Sequence, residues 1–237
     1  MTTTPATGEQ LGAVLVHGMW HGGWTWDAVR AELDAVDVPS AVVELPMTDL
    51  ASDVAATRRV LDEFDRPAVL VGHSYGGAVI TAAGTHDRVR HLVYLAAFQL
   101  DEGESVRTAL AGLALPPTRL GEAMRFSSDG TEVGLDPALA TEFLYGDAAP
   151  ADAEAAVARL RVVRRDILRG VPAEIAWRRV PSTYVVCAED LAINPDLQRA
   201  MAARASDRVE WPGGHSPACT RPKAVADLVA SLAGRAG

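Results

Sequence analysis

Ser74 stands at the centre of Gly72-His73-Ser74-Tyr75-Gly76. A serine hydroxyl is a weak nucleophile and becomes useful only when a base takes its proton. The surroundings suit that task. Ala68-Val69-Leu70-Val71 reads as a buried strand, and Ala78-Val79-Ile80-Thr81-Ala82-Ala83 reads as a helix. A sharp strand-to-helix turn lifts a serine clear of the sheet. Gly72 and Gly76 allow the turn, because a side chain at either place would meet the crowded backbone. A helix beginning at Tyr75 aims its first N–H groups at charge developing beside the serine.

A base and its carboxylate are expected later in the chain, in the order serine, acid, histidine. His215 lies in Pro212-Gly213-Gly214-His215-Ser216-Pro217, a Gly-rich loop after a strand. The acid should follow the preceding strand, and Val185-Val186-Cys187-Ala188 runs into Glu189 and Asp190. Asp190 is chosen because it lies deeper in the loop, with Glu189 as its competitor. An imidazole held by a carboxylate in the right tautomer completes a proton relay. Two N–H donors are then needed for an oxyanion. One is the N–H of Tyr75. The other is sought in His17-Gly18-Met19-Trp20-His21-Gly22-Gly23, where Met19 follows the glycine that lets the loop turn. His17 and His73 are expected to hydrogen-bond the oxyanion and elbow loops. No cofactor is required. His17, His21 and His73 show no His-Glu-X-X-His spacing, so no metal site is expected. Trp20, Trp24 and Trp26 read as core or pocket-rim packing.

These groups need a scaffold. Gly12–Val16, Ser40–Glu44, the Ala68 run and His91–Ala97 read as strands. Helical spacing fills the gaps: Trp26, Val29, Leu33 and Val36 share one face, and Leu50, Val54, Thr57 and Leu61 another. Strands alternating with helices predict an α/β fold with a mostly parallel sheet covered on both faces. The alternation stops at about Gln99. A hairpin or loop is expected around Ser127-Ser128-Asp129-Gly130, with helices near Pro137–Leu144 and Asp152–Leu168. Arg159-Leu160-Arg161-Val162-Val163-Arg164-Arg165 then reads as the solvated face of a cap helix. The βα rhythm resumes with Thr183–Cys187, a helix over 195–205, a strand at Arg208–Trp211 and a helix from Pro222 to Leu232. The expected division is a core of residues 1–98 and 182–237 with a cap insertion of 99–181. Leu110, Leu113, Leu115 and Phe143 make that cap apolar and favour an apolar ester group.

Composition narrows the partners. A formal net charge of -9 argues against nucleic acid and against an anionic membrane surface. The first residues lack a basic segment followed by an apolar core, and no run reaches the roughly 18 apolar residues of a membrane span. Cys187 and Cys219 are the only cysteines and fit no metal spacing, which suggests a reducing cytoplasm. Nothing sets the oligomeric state; a homodimer is compatible with the sequence.

The loop Val14–Trp26, the elbow Gly72–Gly77, the stretch Val186–Asp190 with Ile193 and Gln198, and Gly214-His215 resemble an α/β-hydrolase branch. That branch holds plant methylesterases, salicylic-acid-binding protein, hydroxynitrile lyases, and bacterial esterases and pyrethroid hydrolases. The resemblance spans nearly the whole chain, including Phe143–Asp147 in the cap. It implies Ser74, Asp190 and His215 as a triad, with Met19 and Tyr75 at the oxyanion hole. The lyases carry Thr at the position of Gly18 and Lys at that of Ser216, so the resemblance favours ester hydrolysis of a small molecule. A lyase or polyketide-tailoring cyclase on the same scaffold, or a slow hydrolase that retains an aromatic acid, is the alternative.

Overall fold

The structure is a computed structural model that describes residues 10–112, 115–116 and 118–234. The amino-terminal octapeptide read for a targeting signal, and Leu113, lie outside them. β1 (Gly12–Val16) is apolar and buried along its whole length, as a central parallel strand must be. A tight helical turn at Gly23–Trp26 leads into α1 (Asp27–Asp34), which returns the chain to β2 (Ser40–Val43). α1 buries Val29 and Leu33. It ends too early for Val36 to join them: that side chain is 54% exposed, contrary to the helical face drawn from spacing. α2 (Leu50–Glu63) starts where the Asp49 carboxylate accepts the N–H of Ser52. β3 (Ala68–His73), α3 (Gly76–Ala83) and β4 (Val89–Leu95) complete the first half.

The interruption after β4 holds α4 (Val106–Gly112), α5 (Leu120–Ala123), β5 (Met124–Phe126), β6 (Glu132–Leu135), α6 (Pro137–Tyr145), α7 (Pro150–Val157) and β7 (Val163–Arg164). β5 and β6 form the expected hairpin, and β7 joins β6 in a small antiparallel sheet. The helix expected over 152–168 stops at Val157. Its continuation has better partners: the N–H of Arg161 donates to Trp20 O at 2.7 Å and that of Arg164 to Met47 O at 3.1 Å. Val163 is buried in the small sheet while Arg164 faces out, a strand alternation. The arginine run is therefore not the solvated face of a helix.

β8 (Ser182–Cys187), α8 (Pro195–Ala202), β9 (Asp207–Trp211), α9 (Pro217–Thr220) and α10 (Pro222–Gly234) close the chain. The main sheet is parallel throughout, in the order β2-β1-β3-β4-β8-β9. α1 and α10 pack on one face, around Trp26, Leu33, Val225 and Val229. α2, α3 and α8 cover the other, around Leu61, Ile80, Leu197 and Met201. The chain moves outward from β1 to β2, then returns to pair β3 on the other side. This reversal opens a crevice at the carboxyl ends of β1 and β3.

Candidate active site

Register brings the two halves of the site level. Val16 pairs with Gly72, so the loop after β1 and the elbow after β3 leave the sheet side by side. Cys187 pairs with Trp211, which sets the loops holding Asp190 and His215 next to each other.

Ser74 has φ +53, a left-handed conformation unusual for a residue with a side chain. Three bonds hold it there. Ser74 N–H donates to Leu95 O, while Ser74 O accepts from Gly77 N and Phe98 N. A Cβ on Gly72 would stand 2.6 Å from Gly76 O, and one on Gly76 2.7 Å from Val16 O. Both glycines are thus obligatory for the approach of elbow to sheet.

Ser74 Oγ lies 3.0 Å from His215 Nε2, and His215 Nδ1 lies 2.7 Å from Asp190 Oδ2. With Nδ1–H donating to the carboxylate, Nε2 is free to accept from the serine hydroxyl. Ser74, Asp190 and His215 are all buried. Glu189 is exposed and lies outside this line. Asp190 also accepts the N–H groups of Ala192 (2.7 Å) and Ile193 (2.9 Å) and the amide of Gln198 (2.7 Å). Gln198 is fully buried and spans the loop, accepting Cys187 N–H and donating to Ile193 O. Sequence reasoning marked Gln198 only through the resemblance and gave it no role. Its signal was a polar residue on the buried face of α8, one turn after the Asn194 cap.

Among the described residues, no protein acceptor takes the N–H of Met19 or of Tyr75. Beyond its backbone, Tyr75 sends its hydroxyl to Asp53 Oδ2 at 2.7 Å, and Asp53 Oδ1 accepts Met47 N–H. Burial pushes this carboxyl up to about 6. The pair was not foreseen, because Asp53 lies on the first turn of α2, where an acidic residue ordinarily marks a helix start.

The other histidines are structural. His17 donates from Nδ1 to Gly18 O and accepts Leu45 N–H at Nε2. His73 donates from Nε2 to His215 O, so it braces the loop that carries His215 rather than the loop after β1 or the elbow expected from the sequence. His21 donates to Met19 O and accepts the Tyr145 hydroxyl. Desolvation lowers His17 to about 4 and His21 to about 3, and holds His73 well below the ordinary imidazole value. Neutral rings match the paired donor and acceptor roles of His17 and His21. Among the described residues no three His, Cys, Asp or Glu side chains converge as a metal site.

A narrow cavity of about 50 Å³ opens on Ser74 and His215. Its walls are apolar: Trp20, Phe98, Val106, Met124, Leu168 and Ile193 are among them. Leu110 lines it as expected. Leu115 lies in a separate crevice, and Phe143 is buried within the cap under Arg119. Trp26 is core, and Trp24 packs under the Arg159 guanidinium. Among the described residues no helix is long and apolar enough to cross a membrane.

A parallel sheet with a serine elbow, a histidine and a carboxylate at its carboxyl edge defines the α/β hydrolases as a class. The Alpha/beta hydrolase family model matches residues 13–228, and the chain belongs to that family. Similar proteins include an alpha/beta hydrolase of Aspergillus novofumigatus (strain IBT 16806), 30% identical over 224 residues covering 88% of each chain. Methylesterase 7 of Arabidopsis thaliana is 29% identical over 79% of this chain and 82% of its own. The crystal structure of a pyrethroid hydrolase from Sphingobium faniae JZ-2 superposes with a TM-score of 0.81 at 21% identity. The match covers 95% of this chain and 98% of that one, which establishes the shared fold.

Proposed function

We propose that the protein is a serine carboxylic-ester hydrolase acting on a small-to-medium apolar or aromatic ester. The observation that carries this is the unbroken Ser74–His215–Asp190 hydrogen-bond line at the mouth of an apolar cavity. His215 Nε2 takes the hydroxyl proton as Ser74 Oγ attacks the ester carbonyl. The N–H groups of Met19 and Tyr75 receive the tetrahedral oxyanion. His215 then gives its proton to the departing alcohol, and water repeats the sequence on the acyl-enzyme. Asp190 keeps the ring in the tautomer that can accept. No step calls for a cofactor.

Relatives named as methylesterases support ester chemistry. Gly18 and Ser216, the positions that separate lyases from esterases in the resemblance, hold no side chain and a neutral buried hydroxyl. Residues 99–181 act in this reading as the cap over a core of 1–98 and 182–237. The free thiols Cys187 and Cys219 favour a reducing, cytoplasmic setting. The test is turnover of short-chain p-nitrophenyl esters by purified protein. Ser74→Ala should lower kcat at least about a thousandfold. Equal turnover by that variant would refute the assignment.

A further inference from the structure

The oxyanion loop after β1 is held from outside the sheet. Trp20 has φ +65, a left-handed backbone that a bulky residue keeps only where its surroundings over-determine it. The over-determination comes from three places in the segment between β4 and β8. Trp20 O accepts the N–H of Arg161 at 2.7 Å. The next carbonyl, His21 O, accepts Arg161 Nε at 2.9 Å and Nη2 at 2.6 Å. Trp20 Nε1 donates to Val133 O at 3.2 Å, in β6. His21 Nε2 accepts the Tyr145 hydroxyl at 2.7 Å, at the end of α6, while its Nδ1–H holds Met19 O at 2.7 Å. Glu44 braces the other side of the guanidinium, with Oε1 3.0 Å from Arg161 Nη2. The peptides on the carboxyl side of Met19 are therefore fixed by cap residues, and Met19 N–H is aimed by that loop.

We infer that Arg161 and Tyr145 are positioning residues for the oxyanion donor on Met19, so that the cap segment completes the oxyanion site instead of merely roofing it. The inference rests on the proposed hydrolase reading. Neither residue lines the cavity, so neither contacts substrate there. Their effect passes through the loop backbone and is felt where charge develops on oxygen. An interaction made only in the transition state lowers kcat when lost and leaves KM alone.

The experiment compares wild type, Arg161→Met, Arg161→Lys and Tyr145→Phe on p-nitrophenyl butyrate, with Ser74→Ala as reference. The rate of Ser74 labelling by a fluorophosphonate is measured in parallel, since that attack also builds negative charge on oxygen. Arg161→Met keeps the aliphatic stem and should lower kcat by about ten- to a hundredfold with KM within about twofold. Labelling should slow by a similar factor. Arg161→Lys should recover part of the loss, because one charged donor still reaches His21 O. Tyr145→Phe, which keeps the ring packing, should lower kcat by several-fold, and it carries the test if Arg161→Met fails to fold. Unchanged kcat and labelling in Arg161→Met and Tyr145→Phe, with Ser74→Ala inactive, would overturn this inference and leave the hydrolase reading standing. A rise in KM alone would also overturn it, since that marks a cap that only binds substrate. If the wild type neither turns over esters nor labels, the parent reading fails and this one with it.

Discussion

At the scale of single residues, the site is a set of hydrogen bonds whose directions leave little freedom. Asp190 takes two backbone N–H groups, the Gln198 amide and His215 Nδ1–H, so its oxygens are committed before substrate arrives. A carboxylate held this way orients an imidazole without being the group that moves a proton. Gln198→Leu should therefore lower kcat roughly tenfold, the size of one hydrogen bond to a charged group. KM should hold steady, because Gln198 is remote from the cavity. Steady-state kinetics beside a thermal melt check this. A change in KM alone would place Gln198 in substrate binding instead. Asp190 was chosen from sequence over Glu189 on depth in the loop, and burial separates the two in the structure. The distinction was legible only weakly, because adjacent carboxylates obey the same local rules.

At the scale of elements, the strands were legible because an apolar run bounded by Gly and Pro has few other uses. The elbow was legible for the same local reason. The arginine run was not. Leu160, Val163 and Ile167 recur at helical intervals, yet the chain there is a short strand followed by a tight helical turn. Long-range acceptors at Trp20 and Met47 outweighed helical propensity, and such acceptors leave no mark in a local window. Capping, by contrast, is local. Asp49 accepts Ser52 N–H and Ser52 Oγ at the start of α2, and that helix carries Asp53 to Tyr75. Asp49→Ala should cost about 1 kcal/mol of stability by urea unfolding. Activity should change little at 25 °C. A loss below about 0.3 kcal/mol would mean that water replaces the cap, a value under the usual range for such caps.

For the whole molecule, buried imidazoles set the response to acid. Desolvation puts folded His17 near 4 and folded His21 near 3, and His73 lies well below its ordinary 6.5. As pH falls below 6.5, the unfolded chain binds protons that the folded chain refuses. Stability then drops with falling pH, from 6.5 down to about 4 for His17 and about 3 for His21. Asp53 acts the other way. Burial raises it from 3.8 to about 6, so between those values the folded chain binds a proton that the unfolded chain does not. Three histidines face one carboxyl, and the net direction is acid destabilisation. Urea midpoints measured from pH 7.5 to 4.5 should fall steadily. A midpoint that stays level or rises on acidification would contradict the burial of these rings.

The sequence by itself determined the parallel sheet, the elbow at Ser74 and the order in which the candidate nucleophile, acid and base occur along the chain. Each follows from residue types within a few positions of one another, where sterics and periodicity act. Only the tertiary structure decided that Glu189 faces solvent, that Gln198 and Asp53 brace the candidate site, and that Arg161 reaches across to the loop after β1. Those contacts depend on which distant loops the sheet register sets side by side, and a hydrogen bond between residues 140 positions apart has no period to read.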